Sequence, residues 1–421
     1  MSRALREPAD GDVLAVCIGW SVFAPVGLKY PLLLGATLWG LWQLRQQNAF
    51  GRVWSEPAAR WALAFWAWSA LTALWSAGPW QDALAQIGLY SLLLSVSLIG
   101  FALPAQWAQR TLQHFSIAAG VVGSICLLKS WEFLPAPDAW LWMSTVTAEG
   151  NQRIVTSLLL AVGCTLALRE AWLSWQSGTV RWATLGWCAV ACAAALGLAS
   201  QDRRTGMVTL PVLLLLLSAG MMRARHTSRT KIWTTALAAV ACCVALGAAS
   251  PDVRDRFAEG LGELARYDTT GEVATSWGMR LRMVEQSVQM ASESRIAGHG
   301  LGSWVTLWTQ RVPKDSLLAQ QRTPHSEFLL VAVQTGLIGT ILFVATLWTQ
   351  ATRGLRMNQG SMVPASLLVW GALAWAGLFN VVLRDAKFAL PLLMLAALAW
   401  SVAGSEGRDD ERGAAAPSGS R

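Results

Sequence analysis

Apolar positions along this chain run together rather than alternate. Stretches rich in leucine, alanine, valine and tryptophan recur from end to end, many close to the ~20 residues that cross a bilayer as a helix. Unbroken runs predict helices, because a membrane strand would show a period of two. Hydropathy gives about twelve spans, with cores at 13–27, 31–45, 61–77, 83–103, 111–129, 154–170, 182–199, 206–222, 232–249, 326–349, 363–382 and 388–404. The first two are short and meet near Pro25 and Pro31. The expected fold class is an all-α polytopic membrane protein.

This pattern divides the chain. Residues 1–249 hold spans one to nine, 250–324 form one long loop, 325–404 hold spans ten to twelve, and 405–421 read as a disordered cytoplasmic tail rich in glycine, alanine and charge. Within the loop, Val253, Phe257, Leu261 and Leu264 make 253–266 amphipathic, and Leu281, Val284, Val288 and Ala291 do the same for 279–292. These are packing helices, and on the membrane surface they would also roof a cavity. Residues 1–12 are polar and the next run passes into a second span without a small-residue cleavage site, which predicts a signal anchor.

Composition supports the membrane reading: 54% of residues are hydrophobic and 14% charged. The net charge of +8 is mostly arginine. With the N-terminus inside, the short inner segments hold Arg45, Arg52, Arg60, Arg110, Arg169, Arg181, Arg223 and Arg353 among others. The short outer segments hold only Lys29, Lys129, Arg153, Arg203, Arg204, Arg384 and Lys387. The positive-inside rule then puts both termini in the cytoplasm and the long loop outside. No basic–aromatic motif suggests nucleic acid. All seven cysteines lie in apolar runs and read as small buried hydrophobes. External D-x-D, H-E-x-x-H and C-x-x-C are missing, so metal-assisted catalysis has little support. Intramembrane Asp, Glu and Lys are scarce, which disfavours an ion-coupled transporter.

Candidate chemistry gathers where polar sequence turns apolar. Thr323 suits an N-cap and Pro324 a first helical position, which predicts His325 in the first turn of the tenth span at the outer face. The helix end would attract anions and keep the ring neutral, able to take a proton from a hydroxyl. His325, Leu329, Ala332, Gly336 and Thr340 would share one face, with Gly336 and Thr340 a small-x-x-x-small packing pair. A capped helix with an interfacial histidine explains the same residues. At the outer end of the eighth span, Asp202 can pair with one of Arg203 and Arg204, leaving the other for phosphate oxygens. A pair snorkelling to headgroups is the alternative. Arg280 flanks the apolar side of the second loop helix and Arg282 its polar side; a solvated charge is the alternative for Arg280. The run Gly298-His299-Gly300-Leu301-Gly302 lacks the context of a P-loop, and His299 reads as a turn residue.

Taken together, these motifs resemble the bacterial O-antigen ligase family. His325-Ser326, then Gly336, then Thr340 resembles its signature. Gly298 to Ser303 is similar to its glycine-rich region, Arg280-Leu281 to the start of its loop helix, and Arg204-Thr205-Gly206 to its arginine pattern at a helix end. Arg203 stands where that family usually has serine, so either arginine can be the equivalent one, with Arg204 favoured. The resemblance implies a GT-C-like inner-membrane glycosyltransferase that works as a monomer, without nucleotide sugar, cofactor or metal. It implies a glycan donor on undecaprenyl diphosphate and a lipid A–core acceptor at the periplasmic face, in lipopolysaccharide biosynthesis. His325 would be the base of an inverting transfer. Arg204 and Arg280 would grip the diphosphate, with Arg203 and Arg282 as weaker candidates. An O-antigen polymerase or a protein O-oligosaccharyltransferase would share the donor, and a lipid-linked glycan transporter is the reading from another class.

Overall fold

A computed structural model describes residues 10–134, 151–178, 181–201, 204–224, 251–270, 275–357 and 364–414, with single positions between 230 and 241. The described residues are helical and contain no strand. The helices are α1 (Asp10–Ser21), α2 (Val26–Gln46), α3 (Phe50–Ser55), α4 (Pro57–Thr72), α5 (Trp80–Ala102), α6 (Ala105–Ser130), α7 (Asn151–Gln176) and α8 (Arg181–Ala199). They continue with α9 (Arg204–Ala224), α10 (Pro251–Thr270), α11 (Ser276–Glu293), α12 (Trp304–Thr309), α13 (Glu327–Met357), α14 (Ala365–Gly377) and α15 (Ala386–Ala414). Six segments among them are long and apolar enough to cross a membrane, and Thr205–Met221 and Ala365–Gly377 are shorter apolar helices. The expected span 232–249 lies largely outside the described residues.

Local chemistry explains where the boundaries moved. Pro25 is extended (φ −55°, ψ 149°) and stands before α2, so the break falls at 22–25; Pro31 lies inside α2 rather than opening it. Pro57 opens α4 four residues before the expected start, at the position that needs no N–H. The tail read as disordered from 405 is helical through Ala414, because extending an existing helix costs far less than nucleating one. The loop helices at 253–266 and 279–292 are present as α10 and α11.

The bundle is built around α7 and the 386–403 part of α15, the two most buried spans. Helices approach closely where side chains are smallest. A Cβ on Gly197 of α8 would collide with the backbone of Gly123 on α6, so these helices touch backbone to backbone.

The largest departure from expectation is α13. Gly336 has φ 66° and ψ −164°, a non-helical conformation inside the element. Along one straight helix Phe328 and Phe343 would stand ~22 Å apart. Their ring centroids are 5.3 Å apart. The chain therefore folds back at Gly336 into two arms, 327–335 and 337–357. The shared face expected from His325 to Thr340 does not exist, and Gly336 is a reversal point rather than half of a packing pair.

Folding back strands backbone groups, and a preceding segment takes them up. His299 N–H donates to the Val333 carbonyl (2.9 Å) and Gly300 N–H to that of Gln334 (2.9 Å). Trp68 Nε1 donates to the carbonyl of Thr335 (2.9 Å). The Leu337 and Ile338 amides donate to the carbonyls of Arg295 (2.8 Å) and Ile296 (3.4 Å). Gly298 has φ 72°, and a Cβ on it would run into the backbone of Gln334 and Gly336. The glycine-rich run is thus a wedge against the interrupted helix. Arm 327–335 lies between two apolar clusters: Leu330 and Val333 pack with Met283, Met290, Trp304 and Trp308, while Val331 joins the bundle core.

Gly336→Ala should be strongly destabilising, because its backbone region is essentially closed to residues with a Cβ and the new atom would meet the Ile296 carbonyl oxygen. Thermal unfolding in detergent should fall by several degrees. Gly35→Ala, on an open face of α2, should leave the midpoint unchanged.

Candidate active site

Helix α14 has 13 residues, ~20 Å, and stops short of a ~30 Å hydrocarbon layer. The chain from Leu378 to Asp385 is non-helical, yet Asn380, Val381, Val382 and Leu383 are buried. This turn, the Arg322–Ser326 segment and α11 enclose a cavity of about 360 Å³. Arg280, Arg322, His325, Asn380, Arg384 and Asp385 line it, together with Ile154, Thr323 and Phe388. Three guanidinium groups against one carboxylate make its lining electropositive.

His325 is not in the helix. It sits two residues before Glu327 with φ 52°, the left-handed region. Ser326, rather than Thr323, precedes the first helical residue, and its hydroxyl accepts a long bond from the Leu329 amide (3.4 Å). The Glu327 amide donates to the Asn380 carbonyl (3.2 Å). Part of the anion-attracting helix end is thereby already committed to protein groups. The imidazole Nε2 lies 3.4 Å from Gln321 Oε1. Burial, and then the charge of Arg280, lower the affinity of this ring for a proton below the ordinary imidazole value. The ring is therefore neutral near pH 7, for reasons other than the helix end on which the sequence argument leaned.

The arginines divide. Arg280 reaches the cavity from α11, whose N-cap Thr275 accepts from the Gly278 amide (3.0 Å). Arg282, two positions on, is 3.4 Å from Glu285 on an exposed face and does not line the cavity. Arg204 is the first residue of α9, and Arg203 lies outside the described residues. The neighbour Thr205 brings α9 to the cavity edge, since Asn380 Nδ2 donates to its hydroxyl (3.4 Å). A Cβ on Gly206 would collide with the Ser157 carbonyl, so α9 is seated tightly on α7. His299 is a turn residue, with Nε2 2.8 Å from the Met290 carbonyl. Thr340 bonds back to the Gly336 carbonyl (2.8 Å), away from the cavity.

Sequence reasoning gave no role in the site to Arg322, Asn380, Arg384 or Asp385. Arg384 Nη1 donates to the Arg322 carbonyl (2.8 Å), joining the two cavity walls. Asp385 receives the Lys387 amide (3.0 Å) and opens α15. The overlooked signal was the charged pair Arg384-Asp385 between two apolar runs, the argument already used for Arg203 and Arg204.

No curated protein matches the chain. Residues 188–344 match the family model described as O-antigen ligase. That stretch starts in α8, carries Arg204, Arg280 and His325, and ends in the second arm of α13, whereas Arg384 and Asn380 lie beyond it. Over residues 188–344, the chain is thus similar to the O-antigen ligase family.

Proposed function

We propose that this protein transfers a glycan from undecaprenyl diphosphate to a hydroxyl of lipid A–core, at the periplasmic face of a bacterial inner membrane. The observation that carries the proposal is one cavity in which a half-buried, neutral histidine faces several guanidinium groups, inside a region of O-antigen ligase type. Arginine placement in the sequence supports cytoplasmic termini and an outward-facing site.

The chemistry follows from charge. As the bond between anomeric carbon and diphosphate oxygen breaks, negative charge grows on the leaving group. Arg280, Arg322 and Arg384 line the cavity that receives it, and Arg204 stands at the start of the bordering helix. Preorganised donors stabilise such charge without reorganising. The acceptor oxygen attacks from the opposite side, inverts the centre and loses its proton to His325. Arg280 weakens that base; a bound diphosphate neutralises the guanidinium and restores its basicity. Donor binding thus prepares the ring for the acceptor.

Three outcomes test this reading. His325→Ala should lower kcat by ~10²–10⁴-fold with the fold intact, measured as glycan transfer in reconstituted membranes. Near wild-type transfer would remove the base role. Because the His325 proton affinity is lowered, the acidic limb of kcat/KM should fall below the ordinary imidazole value of 6.5. A limb above it would contradict the assignment. Arg280→Lys should raise the donor KM and lower kcat, since a point charge does not replace a planar fork; unchanged kinetics would count against the diphosphate grip. Supplying lipid A–core, a second donor glycan or a serine peptide as acceptor separates ligation from polymerisation and protein glycosylation.

A further inference from the structure

We propose that Glu327 is a positioning residue for this reaction: its carboxylate locks the 380–384 turn to the histidine turn, across the wall of the cavity. The inference rests on the assignment of His325 as the base.

Glu327 is fully buried, with 0% of its surface exposed. It does not line the cavity. Its Oε2 accepts from the Leu383 amide (2.9 Å), and its Oε1 from the Tyr90 hydroxyl (3.2 Å). Its own amide donates to the Asn380 carbonyl (3.2 Å). A buried carboxylate is costly unless its oxygens are satisfied, and a buried amide is costly without an acceptor. Here the two needs meet. The 378–385 turn is irregular backbone among apolar helices, and Glu327 supplies the acceptor for the Leu383 amide. At the first residue of α13 the carboxylate also suits the positive end of the arm.

His325 sits between two fixed points. On one side, the Arg322 carbonyl is held by Arg384 Nη1 (2.8 Å). On the other, Glu327 is held by Asn380, Leu383 and Tyr90. A non-glycine residue at φ 52° is strained, and such a conformation persists where its surroundings over-determine it. Without the carboxylate the Leu383 bond is lost, and the backbone at His325 is free to relax towards an ordinary φ. A misplacement of ~1 Å in a reacting group can cost ~10²-fold in rate.

The test uses the full chain in reconstituted membranes, with lipid-linked glycan and lipid A–core. Glu327→Ala should lower kcat by ~10–100-fold per folded molecule, with a smaller rise in donor KM, because Arg384 belongs to the released turn whereas Arg280 stands on α11, outside the clamp. Glu327→Gln should recover kcat to within ~5-fold, since its amide oxygen can face Leu383 and its NH2 the tyrosine oxygen. Wild-type kcat in Glu327→Ala would overturn the inference, as would a loss confined to KM. Glu327→Gln as impaired as Glu327→Ala would overturn it too, by making the charge rather than the lock essential. If Glu327→Ala does not fold, Glu327→Asp, one methylene shorter, takes its place; a clear kcat loss is expected and wild-type kcat overturns the proposal. His325→Ala runs alongside. Full activity there would sink the base assignment, whereas an inactive His325→Ala beside a fully active Glu327→Ala would sink only the present inference.

Discussion

The interruption of α13 at Gly336 is the constraint on which the rest depends. Inside an apolar bundle every stranded amide or carbonyl needs a partner, because no water competes to supply one. A helix broken at that depth exposes several at once. Here the 295–300 segment and one tryptophan satisfy three carbonyls and two amides around the break. The glycine-rich run is tied to this role, because Gly298 stands where a side chain would strike the backbone of Gln334. A stretch that resembles a ligand-binding loop on paper is instead a brace.

The brace sets the site. With the chain reversed, Glu327 reaches Tyr90, the eleventh residue of α5 and ~15 Å along that helix from Trp80. His325 is two residues away, below the turn at Gly336 rather than above it. At this depth burial is the first cause of its neutral state, with Arg280 second. The short α14 leaves room for the irregular turn that brings Asn380 and Arg384 to the same cavity. Two incomplete elements, a half-length helix and a reversed arm, meet there and build a polar pocket inside an apolar bundle.

Much of this was legible in the chain. Spans are averages over some twenty residues, so hydropathy recovers the six helices that are long and apolar enough to cross a membrane among the described residues. The loop helices follow from the period of Val253 to Leu264 and Leu281 to Ala291, and that register separated Arg280 from Arg282. The reversal was not legible, because residues 327–355 form one long apolar run in which Gly336 is one of three glycines. Glycine fits close packing as readily as a left-handed turn, and only the tertiary partners decide. Arg384 and Asn380 were hidden for a related reason: an average over a window merges a short helix with the buried turn that follows it.

The order of synthesis gives the fold-back one more consequence. A ribosome finishes residues 295–300 before it makes Gly336, so the partner of the broken helix already exists when that helix emerges. Hydrophobicity alone would insert 327–355 as a single crossing, with Glu327 and Leu355 at opposite faces. Reaching the arrangement described here requires the earlier-made brace to capture the later segment, and so biogenesis of the site depends on a contact that no span forms by itself.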